Sequence, residues 1–283
     1  TYTLIRNVFR WLALSLLGYG AAAWLARPDF HAVVKGTFVP TIRLDKDFLS
    51  MVVAVMGTTL SAYLYTWQSN QEVEEEKAMG RTELWQRIGA TDAELRSTRI
   101  DVALGMLFSN LIMYFIILST ASTLHRSGHT EVDSALDAAR ALEPVAGKAA
   151  SWLFALGILA VGFLAVPVVT TGAAYDVAQT FGWRHGLAEK PKGAKAFYAT
   201  IGAFTVIGAA FCMLGLNPMR MLVWAGIAQG FTTPPLILLI LILTNRRQIM
   251  GSRVNGYTAN ILGGLTTLLA FTATISLIVA WFT

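Results

Sequence analysis

The sequence specifies an all-α polytopic membrane protein, and three observations fix that class. Apolar runs of about 20 residues recur along the whole chain, the length at which a helix crosses a hydrocarbon core of about 30 Å. Only 14% of the 283 residues are charged and 55% are hydrophobic, whereas soluble domains carry about 25% charge. Arginines and lysines gather in the gaps between the runs, as they do in the loops of membrane proteins. The net charge of +5 therefore reflects loops, not nucleic-acid binding, and no nucleic-acid partner is expected. The single cysteine, Cys212, excludes a disulfide within the chain and a cysteine metal site.

Seven membrane crossings are expected, forming a single transmembrane domain over 1–283. The first lies near 4–26 and is closed by Arg27-Pro28. A mixed-charge loop follows. The second, near 48–69, gives way to a charged linker carrying Glu72, Glu74, Glu75 and Glu76. That acidic run reads as a solvated face rather than a metal-attracting one. Thr91-Asp92-Ala93-Glu94 has the form of a capping box, so a short helix is expected to begin there. Leu84, Trp85 and Ile88 share a helical face suited to the membrane surface.

The third crossing, near 101–123, contains Asn110, which can bond a neighbouring helix or face a polar pathway. The loop after it should hold an amphipathic helix with Val132, Ala135, Leu136, Ala139 and Leu142 on its apolar face. His125 and His129 stand four apart, but Gly128 lies between them and no third ligand is evident, so they read as loop residues. The fourth crossing, near 150–174, contains Pro167, which should kink it, with Thr170 and Thr171 available to satisfy freed backbone groups. The fifth and sixth lie near 197–216 and 219–244, separated by Asn217-Pro218. The sixth holds Gln229 and the pair Pro234-Pro235, which should distort it. The seventh lies near 259–281.

The second crossing carries the chemistry. Gly57-Thr58-Thr59-Leu60-Ser61-Ala62 falls in the middle of a lipid-length segment. Glycine raises the entropic cost of helix, and hydroxyls compete for backbone bonds. Backbone freed at membrane depth persists only where it is buried or lines a cavity, and transporters use such breaks to bind ions. The same small residues also let helices pack closely, and spacing alone favours that packing reading. No nucleophile–base pair or multi-ligand metal cluster marks an enzyme.

Seven crossings put the two ends on opposite sides. With Thr1 inside, fourteen of the 22 Lys and Arg residues fall on the cytoplasmic face, so Thr1 is expected inside and Thr283 outside. The chain starts at Thr1 without a secretory signal pattern, and it is expected to be part of a longer protein.

The stretch GTTLSAYLYTWQSNQEVEEE resembles the sixth transmembrane helix of NRAMP-type (natural resistance-associated macrophage protein) divalent metal transporters, in a bacterial branch. DVALGMLFSNLIMYFIILSTASTLHRSG, LEPVAGKAASWLFALGILAVGFLAVPV and GAAYDVAQTFGW also match, so the resemblance runs from about Tyr2 to the end. It implies a leucine-transporter-like fold, present in part: helix five, the second inverted repeat and helix eleven. It implies a partner in the N-terminal helices of the same protein, whose first helix carries the family's Asp-Pro-Gly-x-Asn motif. No such motif occurs in this chain.

The resemblance further implies secondary transport of a divalent cation (manganese, iron or magnesium) coupled to protons, in a bacterial inner membrane. The ion is the transported substrate, and no cofactor is implied. Carried over from the family motif Ala-Thr-Ile-Met-Pro-His-Asn, the metal-binding carbonyl falls on Thr58. The thioether position falls on Ser61, the proline on Ala62 and the histidine on Tyr63. Gln229 is the candidate for the helix-ten metal ligand, about two residues out of register. Tyr63 and Asn110 are candidates for a proton or polar pathway. A thioether favours manganese or iron, whereas a hydroxyl suits harder ions, so the serine puts substrate identity in question. The competing expectation is a non-transporting membrane scaffold or a degenerate remnant lacking the first repeat.

Overall fold

The computed structural model describes residues 16–39, 41–125, 128, 132 and 134–282. Every regular element among them is helical. In order these are α1 (Leu17–Leu25), α2 (Phe30–Phe38), α3 (Lys46–Thr59), α4 (Ala62–Ala78), a 3-10 turn (Leu84–Arg87) and α5 (Asp92–Thr120) with its π turn (Ala121–His125). Then come α6 (Ala135–Thr180), α7 (Lys195–Met213), α8 (Pro218–Thr244), α9 (Arg247–Met250) and α10 (Tyr257–Phe282). Among the described residues six stretches are long and apolar enough to cross a membrane: Lys46–Ala78, Asp92–His125, Gly147–Thr180, Lys195–Met213, Pro218–Thr244 and Tyr257–Phe282. The expected crossing near 4–26 falls mostly outside the described residues, which include only α1.

The chain divides into two compact units. One comprises the described residues of Thr1–Pro40 and Thr66–Met219. Its α1 packs on α5 and α6 around Tyr19, Ile112, Leu124 and Phe154. The Tyr19 and Phe154 rings meet edge to face, 5.2 Å apart. Gly157 makes room for that arrangement, since a Cβ there would lie 2.6 Å from the Tyr19 ring. A second cluster joins α6 to α7 through Ala174, Tyr175, Ala178, Ala194 and Phe197.

The other unit comprises the described residues of Thr41–Tyr65 and Arg220–Thr283. Its core is Leu49, Val53, Ala54, Ile227 and Leu277, from α3, α8 and α10. Asp45 caps α3 by accepting a hydrogen bond from the Phe48 N–H at 3.0 Å. That bond, with Arg43 beside it, holds the Asp45 carboxyl below its ordinary range.

Several elements differ from their sequence reading. The Thr91 capping box forms, but it starts the whole of α5 rather than a separate short helix, because no breaker separates Asp92 from the apolar run. Leu84, Trp85 and Ile88 lie on or beside a 3-10 turn and are 72–76% exposed. The loop after the first crossing contains α2, started by Asp29, whose carboxylate accepts from the His31 N–H.

The amphipathic helix after α5 begins at Ala135 and continues into the fourth crossing as α6. His129 and the start of its connection lie outside the described residues. Pro167 does not interrupt α6; the non-helical residue within it is Gly147, at φ 82° and ψ 167°. Proline costs a hydrogen bond, but its fixed φ near −65° is helical. The Thr170 hydroxyl bonds the Val166 and Pro167 carbonyls, not the carbonyl of residue 163 that the proline frees. α8 likewise runs unbroken through Pro234 and Pro235. Pro234 cannot bond the Gly230 carbonyl, and the Thr274 hydroxyl of α10 lies 3.5 Å from that oxygen.

Candidate cation site

α3 ends within the cluster of glycine and hydroxyls, although spacing alone favours the packing reading there. Leu60, at φ −111° and ψ 34°, leaves the helical region, and its N–H makes a last bond to the Met56 carbonyl at 2.8 Å. Ser61 lies between the helices, and α4 starts at Ala62. A helix end takes its last carbonyls out of the backbone ladder, and Thr58 lies in that last turn.

The hydroxyls beside the break have two different fates. Those of Thr58 and Thr59 both reach the Val55 carbonyl, at 3.0 and 2.7 Å. Ser61 is fully enclosed, and its hydroxyl has no hydrogen-bond partner among the described residues. The same holds for the side-chain carbonyl oxygen of Gln229, buried on α8. Buried polar atoms without partners are uncommon and costly, about 1–3 kcal/mol each, so each calls for a reason.

One residue ties the break to α8. The Thr233 hydroxyl lies 3.2 Å from the Leu60 carbonyl and 2.9 Å from the Gln229 backbone carbonyl. A hydroxyl has one proton, so it donates to one of these at a time. Glycines set the approach of the two helices. A Cβ on Gly57 would fall 2.2 Å from the Gly226 carbonyl oxygen and the Gly230 nitrogen. A Cβ on Gly230 would fall 2.5 Å from the Val53 carbonyl oxygen. α3 and α8 thus meet backbone to backbone next to the interruption.

The structure therefore brings Ser61, which is buried, and Gln229, which is half-buried, into the same unit, each with an enclosed, unpartnered side-chain oxygen. The Thr58 side chain is exposed. The Tyr63 side chain lies outside the described residues. Asn110 is in the other unit, half-buried, and its side-chain amide donates to the Met106 carbonyl at 2.8 Å. Among the described residues no group of three or more His, Cys, Asp or Glu side chains could hold a metal. Sequence reading missed Thr233 and the glycine contact. Gly226 and Gly230, four apart on α8, are the small-residue signal that could have found the latter.

Residues 1–280 match the family described as Nramp, natural resistance-associated macrophage protein-like. The chain belongs to the NRAMP family, and it is an integral membrane protein. Among its relatives, a "Divalent metal cation transporter MntH" of Caldanaerobacter subterraneus subsp. tengcongensis is 26% identical over 243 residues, covering 86% of this chain and 53% of that protein. The one from Vibrio campbellii is 29% identical, covering 86% and 52%. That of Pectobacterium carotovorum subsp. carotovorum is 27% identical, covering 93% and 60%. The chain spans about half the length of the curated relatives it matches. In this NRAMP chain the membrane-length stretch Lys46–Ala78 is interrupted at Leu60–Ser61.

Proposed function

We propose that this chain forms part of the cation path of a secondary transporter for divalent metal ions in a bacterial inner membrane. The carrying observation is the break at Leu60–Ser61 with two buried, unpartnered oxygens, Ser61 Oγ and Gln229 Oε1. The desolvation cost of a buried oxygen without a hydrogen-bond partner is offset when a cation binds it. The names of the MntH relatives support the same substrate class. The Thr58 carbonyl completes the proposed set on this side.

An oxygen-only set suits hard cations, so magnesium stands beside manganese and iron as a candidate substrate. Coupling to protons is part of the proposal and rests on the family resemblance alone. The test is uptake of manganese, iron and magnesium into proteoliposomes by this chain joined to the N-terminal half of an MntH relative. Ser61→Ala and Gln229→Leu are each expected to lower the uptake rate at subsaturating cation at least tenfold. Wild-type rates in both variants would remove these residues from the path.

A further inference from the structure

We propose that the connection between α6 and α7 forms a binding site for a phosphate-bearing anion, supplied by the headgroups of anionic phospholipids. Residues 181–194 join two membrane-length helices, so this connection lies at a membrane surface. A cavity of about 720 Å³ opens there. Four cations line it, Lys77, Arg184, Lys190 and Lys192, against one carboxylate, Glu189.

The ion pairs show where the free charge is. Lys77 lies 3.3 Å from Glu74, whose other oxygen accepts from the Ala188 N–H. Arg184 lies 3.4 Å from Glu189. Lys190 and Lys192 make no ion pair among the described residues, and both are exposed. They leave the cavity with an unneutralised positive charge.

Two further features point the same way. α7 starts from the cavity wall beside Gly193. Its cap residue, Ala194, offers no side-chain bond, and no acidic residue stands in its first turn. The positive end of the helix therefore adds to the lysines instead of being offset by the chain's own carboxylates. Phe181 and Trp183 stack 5.1 Å apart at the other end of the connection and are 66% and 39% exposed. A tryptophan at the end of a membrane helix suits headgroup depth, the depth of the lipid phosphates. Basic pockets between membrane helices hold such headgroups.

The test is native mass spectrometry of the full chain in neutral detergent. One arm titrates cardiolipin and phosphatidylglycerol, with phosphatidylcholine as the zwitterionic reference. The other titrates inorganic phosphate and pyrophosphate without lipid. Lys190→Gln/Lys192→Gln is compared with Arg246→Gln/Arg247→Gln, which removes equal charge elsewhere, and both are checked for wild-type helix content. Each lysine near an anionic surface is worth about fivefold in affinity. The Lys190/Lys192 pair should therefore weaken cardiolipin binding more than tenfold, and the Arg246/Arg247 pair less than threefold. Glu189→Gln removes the carboxylate that lines the wall among the described residues and should tighten binding.

Lysine-dependent binding in the lipid arm alone supports the proposal as stated. Lysine-dependent binding of pyrophosphate at equal strength keeps the anion site and overturns the lipid source. Equal losses in both double variants, or no binding in either arm, overturn the site.

Discussion

In the proposed cation path, Ser61 stands where the family resemblance puts a thioether, and that difference has a chemical consequence. A thioether at the corresponding position favours manganese or iron over harder ions, whereas a hydroxyl is a hard donor. If the Ser61 oxygen meets the cation, Ser61→Met should shift uptake toward manganese or iron over magnesium by about tenfold in the proteoliposome assay of the joined chain. If Ser61 only fills space, the longer side chain should lower all rates together and leave the ratio unchanged. Gly57 gives a second expectation at this scale. A methyl there would lie 2.2 Å from α8 backbone, which cannot rotate away. Gly57→Ala should destabilise the chain by about 3 kcal/mol or more, beyond ordinary overpacking. Gly202→Ala, on α7 with nothing within 4 Å, should be neutral or stabilising by up to about 1 kcal/mol. Thermal unfolding in detergent, followed by gel filtration, separates the two.

At the scale of elements, α6 depends on one residue that sequence reading passed over. Gly147, at φ 82° and ψ 167°, occupies backbone space that is open essentially to glycine alone. Gly147→Ala should cost about 1–3 kcal/mol and raise hydrogen exchange in the turns on either side, while exchange in α8 stays unchanged. Uniform exchange across α6 in the variant would show that the joint carries no strain. The contrast with Pro167 explains which helix features are legible. A proline announces a lost hydrogen bond but not a helix end, so α6 runs on through Pro167. The break after Thr59 is legible because glycine and three hydroxyls weaken one turn together, and nothing nearby restores it. The Thr91 cap is legible as a start, while the length of α5 is not, because a cap marks where a helix begins and not where it stops. Ser61 can be singled out from its neighbours by type and place. That Gln229 also carries an unpartnered oxygen, and that Thr233 links the two segments, depends on how α8 lies against α3, which is a long-range packing outcome.

For the molecule as a whole, the donor set decides what the chain can do alone. A divalent cation such as magnesium or calcium is held by six or more oxygens, commonly including carboxylates, or keeps several waters. The proposed set has the Thr58 carbonyl, Ser61 Oγ and Gln229 Oε1, three neutral oxygens. Neutral donors of that number replace only part of a hydration shell, and a doubly charged ion taken from water without a balancing charge pays a desolvation cost they do not offset. The family resemblance puts the carboxylate on a first helix with an Asp-Pro-Gly-x-Asn motif, which does not occur in this sequence. The chain also spans about half the length of its MntH relatives. Reconstituted by itself it should therefore give no manganese, iron or magnesium uptake above empty liposomes, while the chain joined to a relative's N-terminal half should transport. Replacing the motif aspartate of that half by asparagine should return uptake to background, because it removes the charge and leaves the oxygen count nearly unchanged. Selective, saturable uptake by the chain alone would place the cation path within these helices and away from the interface between repeats. A background signal from the joined chain, with its helix content and gel-filtration profile intact, would instead favour a membrane scaffold over a transporter.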